Sequence, residues 1–146
     1  GLMNDTFVNL VLLDIRDERD YNQFHLRAAR QTDPTLESVE AITPDLIGLN
    51  PRSVIVTMSN DESMATEAWK QLRAESLPNV YILEGGVNNW IRTYGDEQFL
   101  RDRYVMNRAD DEPAFRFELA IGARHPAGMW FINPQKRIPL LCLRSS

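Results

Sequence analysis

The chain has 146 residues, of which 43% are hydrophobic, and its 16 basic and 21 acidic residues give a formal net charge of −5. This length and composition predict one ordinary soluble globular domain with a packed core and, at most, an appendage. The basic residues are scattered singly among acidic neighbours. That pattern excludes the Lys/Arg stripe that would neutralise phosphates, so we expect no nucleic-acid partner.

The cysteine content and the hydropathy narrow the classes further. A single cysteine, Cys142, excludes an internal disulfide and a cysteine-based metal site, and we expect no metal and no cofactor. No apolar run approaches the roughly 18 residues of a membrane span. The opening Gly1-Leu2-Met3 lacks a signal-peptide pattern, which favours the cytoplasm, and a targeting segment upstream stays an open alternative.

The first third of the chain alternates strand and helix signals. A nearly continuous apolar run at residues 7–15 predicts a central strand buried on both faces. Asp17 can cap a short helix that reaches Phe24. Residues 28–42 carry little periodicity and are expected to form a connection with a short edge strand. Thr43-Pro44-Asp45 then predicts a helix start, with Thr43 as the cap.

A strand-loop-helix-strand unit follows at residues 54–90 and organises the rest. Its first helix has an apolar stripe at i, i+3, i+4 and i+7, formed by Ala65, Ala68, Trp69 and Leu72. After a second strand, Gly85-Gly86 turns into another helix, which Gly95 ends. This alternation predicts a parallel α/β sheet. The loop after the first strand then lies at the carboxyl edge, where such sheets bind ligands.

Two blocks of the sequence resemble rhodanese-like domains. The family reads roughly L-I-D-V-R, then Y, then G-H-I-x-G-A, and the chain has Leu13-Asp14-Ile15-Arg16, Tyr21 and Phe24-His25-Leu26-Arg27-Ala28-Ala29. The family's V-Y-x-L-x-G-G and later W are similar to residues 80–86 and Trp90. This resemblance covers about residues 7–94. It implies a five-stranded, mainly parallel sheet with helices on both faces and an active-site loop between the fourth strand and its following helix.

The candidate active-site loop departs from the family pattern. Active members carry C-x-x-G-x-R, in which the cysteine takes the sulfane sulfur as a persulfide. Counting back without gaps from Gly85-Gly86 puts Ser59 at the cysteine, Glu62 near the glycine and Met64 at the arginine. Sulfur transfer needs a thiolate, which a serine cannot supply. Asp61 and Glu62 also lie where an anionic donor would bind, and they would repel it.

These departures lead to two main hypotheses for the loop Met58, Ser59, Asn60, Asp61, Glu62, Ser63 and Met64. The leading one is a non-catalytic binding or regulatory module that keeps the pocket, with a protein or small molecule of unknown identity as its partner. The alternative is a thiosulfate sulfurtransferase, or a related anion-processing enzyme, with Ser59 at the nucleophile position. A third is a domain whose lost activity is supplied by another chain of a complex.

Each candidate residue also has a structural interpretation. Ser59 is typical of a loop or cap. Asp61 and Glu62 are typical of a helix N-terminus with Asp61 or Ser63 as cap, and a carboxylate-lined pocket for a cation or a partner's basic residue is the functional alternative. His25 is expected to be a structural hydrogen-bonding residue. Asp14 and Arg16 are expected to form a buried or semi-buried pair. Cys142 lies in an apolar stretch and is expected to be inert.

The chain after Gly95 lies beyond the resemblance. Residues 96–111 predict a helix ended by Pro113, and alternating Phe115, Phe117, Leu119 and Ile121 predict a half-buried strand or extended segment. Arg124 and His125 fit either an anion-binding loop or a solvated turn. We expect a rhodanese-like domain at residues 4–97 and an extension at residues 98–146, which packs on the domain or on a second copy in a homodimer.

Overall fold

The computed structural model describes residues 9–117 and 143–144. In chain order its elements are β1 (Leu10–Asp14), α1 (Glu18–Gln23), β2 (Arg30–Gln31), α2 (Leu36–Ile47), β3 (Val54–Met58), α3 (Ser63–Ala74), β4 (Val80–Leu83), α4 (Gly86–Tyr94), α5 (Glu97–Arg101) and β5 (Leu143–Arg144). The strands form a five-stranded sheet in the order β2-β1-β3-β4-β5. It is parallel except at β5, which runs antiparallel to β4.

This architecture confirms the predicted α/β fold with a five-stranded, mainly parallel sheet. The loop follows β3, the third strand of the described residues, and the position beside β4 in the sheet is filled by β5 from residues 143–144. None of the helices in the described ranges has the length and apolar character needed to cross a membrane.

Helices cover both faces of the sheet. Side chains alternate along a strand, so β1 gives Leu12 to one buried cluster and Val11 and Leu13 to the other. The first cluster continues into α4 and α5, and the second into α2 and α3. All five residues of β3 are buried. The predicted central strands are therefore confirmed.

The predicted helix start at Thr43 is wrong. α2 begins immediately after Thr35, whose hydroxyl oxygen accepts a hydrogen bond from the Ser38 backbone N–H at 3.1 Å. Thr43 and Pro44 lie inside the helix, and the Thr43 hydroxyl donates to the Val39 carbonyl at 2.8 Å. Val39 is buried in the core, so packing of this apolar face outweighs the backbone N–H that Pro44 lacks.

The helix predicted over residues 96–111 is much shorter than expected. The Asp96 carboxylate caps α5 by accepting from the Phe99 N–H at 2.9 Å, and the helix ends at Arg101. The backbone beyond it pairs with a later segment through an antiparallel bridge between Tyr104 and Phe115. This tertiary pairing overrides the local helical pattern.

The described part of the predicted extension packs on the sheet. Phe115 and Phe117 are buried while Arg116 is exposed, the alternation predicted for a half-buried strand or extended segment, and Phe115 forms an isolated bridge. The Phe117 ring stacks on Phe24, with ring centroids 5.6 Å apart. The predictions for Leu119, Ile121, Arg124, His125 and Cys142 lie outside the described residues. The division at residue 97 and the homodimer stay predictions.

Candidate functional site

The candidate loop lies at the carboxyl edge of the sheet, between β3 and α3. Met58 is the last residue of β3, and Ser63 and Met64 already belong to the first turn of α3. The start of α4 is hydrogen-bonded to the loop, because the Val87 N–H donates to the Ser59 carbonyl at 2.8 Å. The loop is therefore fixed at both ends by regular elements, as predicted from the strand-loop-helix pattern.

Gly86 is the point where the loop and α4 come closest. Its φ of +73° is a left-handed backbone conformation that residues other than glycine rarely adopt. A Cβ at this position would lie 2.4 Å from the carbonyl oxygens of both Asn60 and Asp61. The Gly85-Gly86 turn therefore lets the loop backbone rest directly on the N-terminus of α4.

The Ser59 hydroxyl forms hydrogen bonds with backbone groups of the loop and of the first turn of α3. The side chain is 2% exposed. Its Oγ donates to the Asp61 carbonyl at 2.7 Å and accepts from the Ala65 N–H at 3.0 Å. Its proton is thus directed at a backbone carbonyl, and no histidine is among its hydrogen-bond partners in the described residues. The arrangement closes a turn and lacks the base that activates a serine nucleophile.

The two loop carboxylates accept hydrogen bonds from nearby groups of the protein. Asp61 Oδ1 accepts from the Ser63 N–H at 2.9 Å and from the Ser63 hydroxyl at 2.7 Å. Glu62 Oε2 accepts from the Gly85 N–H at 2.7 Å. Glu62 is the N-cap by backbone conformation, yet its side chain makes no capping bond, and Asp61 supplies that contact from one residue upstream. These backbone donors, which favour anions in general, are occupied by the protein's own carboxylates.

Asp14 and Arg16 form the predicted buried pair. Their side chains are 0% and 4% exposed. The guanidinium binds the carboxylate in a bidentate manner, with Nε to Oδ1 at 2.7 Å and Nη2 to Oδ2 at 2.6 Å. Nη2 also donates to the Phe24 carbonyl at 2.6 Å, and Nη1 donates to Asn60 Oδ1 at 3.2 Å. All three nitrogens are engaged, so Arg16 supports the loop and does not offer a cation to a ligand.

Asn60 joins the loop to three distant parts of the chain. Its side-chain oxygen accepts from Arg16. Its side-chain nitrogen donates to Asp20 Oδ2 at 3.0 Å and to the Asp111 carbonyl at 3.1 Å. The sequence placed Asn60 in the loop without assigning it a role. Its partners lie 40, 44 and 51 residues away, so no local spacing could have indicated them.

His25 packs on the preceding helix α1 and is not a hydrogen-bond partner of the Ser59 hydroxyl. Its ring stacks on Tyr21, with centroids 3.7 Å apart and planes at 5°. Its Nδ1 lies 2.9 Å from the Tyr21 carbonyl oxygen. Burial lowers the pKa of His25, and the hydrogen bond to Tyr21 opposes that shift. These contacts agree with the structural role expected from the sequence.

A cavity of about 240 Å³, here called the loop cavity, opens above Ser59. Its charged lining consists of two arginines and five acids, namely Arg16, Arg19, Asp17, Asp20, Asp61, Asp111 and Glu112. Met64, which is 40% exposed, also lines this cavity. The described residues contain no group of three or more His, Cys, Asp and Glu side chains that could hold a metal ion.

The domain has an α/β fold with a mainly parallel sheet. Its third described strand leads into a short loop that packs against a glycine pair. These features define the class to which the domain belongs. The family model of the rhodanese-like domain matches residues 2–93, which is more than half of the chain. The chain therefore belongs to the rhodanese-like domain family. No curated protein matches it.

Proposed function

We propose that this chain is a non-catalytic rhodanese-like module that uses the loop cavity for binding. One observation carries the proposal. Counting back from Gly85-Gly86 assigns Ser59 to the position of the family's cysteine, and the Ser59 hydroxyl donates to the Asp61 carbonyl and accepts from the Ala65 N–H. A sulfane-sulfur carrier needs a thiolate that attacks sulfur and then holds it as a persulfide. A buried serine that donates its proton to a carbonyl has neither property.

The electrostatics of the loop support the same conclusion. Thiosulfate is an anion and would have to approach the carboxylates of Asp61 and its neighbours. The helix N-terminus that would stabilise it is already served by Asp61. Five acids against two arginines, one of them paired with Asp14, favour a basic side chain of a partner protein over an anionic sulfur donor.

The catalytic part of the proposal is tested by thiosulfate-to-cyanide sulfur transfer. We expect the purified chain to show no turnover above the uncatalysed rate, and Ser59→Ala and Cys142→Ala to behave identically. Turnover that disappears in Ser59→Ala would instead establish the alternative, an enzyme acting through the loop. Turnover that disappears in Cys142→Ala would identify that thiol as the carrier.

The binding part is tested by NMR titration with N-acetyl-arginine amide, a minimal basic side chain. We expect saturable shifts of the Asn60 and Asp61 amide signals, reduced in Asp61→Asn. Glu75→Gln is the matched control, because it removes one exposed carboxylate that does not line the loop cavity. The binding proposal fails if the loop signals do not move, or if both variants weaken the titration equally.

A further inference from the structure

A second cavity of about 320 Å³, here called the arginine cavity, lies beside the loop cavity. Arg19, Arg108 and Arg116 line it. They come from α1, from the segment after α5 and from the segment that pairs with it, so the fold collects positive charge that is dispersed in the sequence. Two acids, Asp20 and Glu112, also line the cavity.

Each of these two acids accepts a hydrogen bond from a group other than the three cavity arginines. Asp20 Oδ2 accepts from the Asn60 amide at 3.0 Å, and Glu112 Oε1 accepts from the Ala109 N–H at 2.8 Å. Within residues 9–117 the ion pairs are Arg16 with Asp14 and Lys70 with Glu67. None of the three cavity arginines is therefore neutralised by an ion pair with a described residue.

Arg108 is the most constrained of the three. Its guanidinium lies over the Tyr104 ring, 5.8 Å from the centroid, and Nη1 donates to the Ala109 carbonyl at 3.3 Å. Its Nε is buried and has no hydrogen-bond partner among the described residues. The ring and the Ala109 carbonyl therefore hold the Arg108 side chain in place, and no described carboxylate forms an ion pair with it.

The rest of the lining indicates what kind of ligand fits. Val105, Pro113 and Phe115 give the cavity an apolar part beside its charged groups. Guanidinium groups match the oxygens of a phosphate in fork geometry. The volume is at the lower end of the roughly 300–1000 Å³ of small-molecule sites, which leaves room for an organic group attached to the anion.

We propose that the arginine cavity binds a small organic phosphate monoester, with the phosphate on the arginines and the organic group on the apolar residues. The arginine cavity adjoins the loop cavity and shares Arg19, Asp20, Glu112 and Pro113 with it, but the proposal does not rest on binding at the loop cavity. Arg19 lines both cavities. Arg108 and Arg116 line the arginine cavity and not the loop cavity, so they distinguish the two.

Calorimetric titration with phenyl phosphate tests the proposal on the full chain. We expect saturable binding that Arg116→Gln weakens about tenfold, the effect of losing one charge-assisted hydrogen bond. Arg108→Gln should weaken it at least as much. Arg92→Gln is the matched control, because Arg92 is exposed on α4, does not line the cavity and carries the same charge. Far-UV circular dichroism checks that each variant is folded.

Two comparisons with other probes complete the test. Phenol should bind much more weakly than phenyl phosphate because it lacks the anion, and inorganic phosphate more weakly because it lacks the apolar group. No saturable binding of phenyl phosphate to the parent chain would overturn the proposal. An equal loss in Arg92→Gln and Arg116→Gln would also overturn it, as would equal affinity for phenol or for inorganic phosphate.

Discussion

Replacing Arg16 with methionine should strongly destabilise the domain. The substitution keeps a long side chain and removes four side-chain hydrogen bonds, two to Asp14 and one each to Phe24 and Asn60. It leaves the Asp14 carboxylate, which has no solvent exposure, without its counter-ion. Removing one partner of a buried ion pair typically costs about 3–5 kcal/mol, a large share of the roughly 5–15 kcal/mol that stabilises a domain.

Urea unfolding, followed by tryptophan fluorescence, measures this loss, since Trp90 is buried in the core. The double variant Asp14→Leu/Arg16→Met removes both charges and should be more stable than Arg16→Met alone. Lys70→Met is the matched control. It breaks an exposed pair with Glu67 and should change the free energy of unfolding by less than about 1 kcal/mol.

A loss below about 1 kcal/mol in Arg16→Met would refute this reasoning, because it would mean that the buried carboxylate does not need its partner. A double variant less stable than the single one would refute it as well. That result would mean that the uncompensated Asp14 carboxylate is not what destabilises Arg16→Met.

Three further substitutions test the local geometry. Gly86→Ala should cost at least about 2 kcal/mol of folding free energy, because alanine at φ +73° is strained and its Cβ would collide with the loop carbonyls. Thr35→Ala should cost about 1 kcal/mol by removing the cap of α2. Burial holds the pKa of His25 below 6.5, so the unfolded chain takes up that proton more readily and stability falls as the pH drops through about 6.5. His25→Gln should remove that part of the pH dependence.

Urea unfolding also checks these three predictions against matched controls. Gly48→Ala should be neutral or stabilising, since the nearest atoms to its added Cβ are 3.7 Å away. A Gly86→Ala protein as stable as Gly48→Ala would contradict the first prediction, and an unchanged Thr35→Ala protein the second. His125→Gln should retain the pH dependence that His25→Gln loses. Identical pH profiles of the parent and His25→Gln between pH 7.5 and 5.5 would contradict the third.

The sequence predicted the parts of the fold in which local and tertiary signals agree. The apolar run ending at Asp14 became β1, Asp17 caps α1 as expected, and the stripe that begins at Ala65 became the buried face of α3. Gly95 is the C-cap of α4. The loop position followed from this order of elements, because parallel strands place their carboxyl ends at one edge.

The sequence failed where long-range packing decides the outcome. Thr43-Pro44-Asp45 has the composition of a helix start. The helix nevertheless begins earlier, because burial of Val39 in the core stabilises the preceding turn as part of the same helix. The pairing of Tyr104 with Phe115 likewise ends α5 early. Asn60 and the arginine cavity depend on residues far apart in the chain, so their roles became visible only once the fold had brought those residues together.

Our central proposal is that the residues of the loop prevent sulfur transfer in a domain that keeps the rhodanese-like fold. Thiosulfate-to-cyanide turnover of Ser59→Cys/Glu62→Gly/Met64→Arg, which restores C-x-x-G-x-R, tests it most directly. We predict no turnover for the parent, little for Ser59→Cys alone because Glu62 and Met64 remain, and clear turnover for the triple variant. Parent turnover that survives Cys142→Ala and disappears in Ser59→Ala would contradict the proposal.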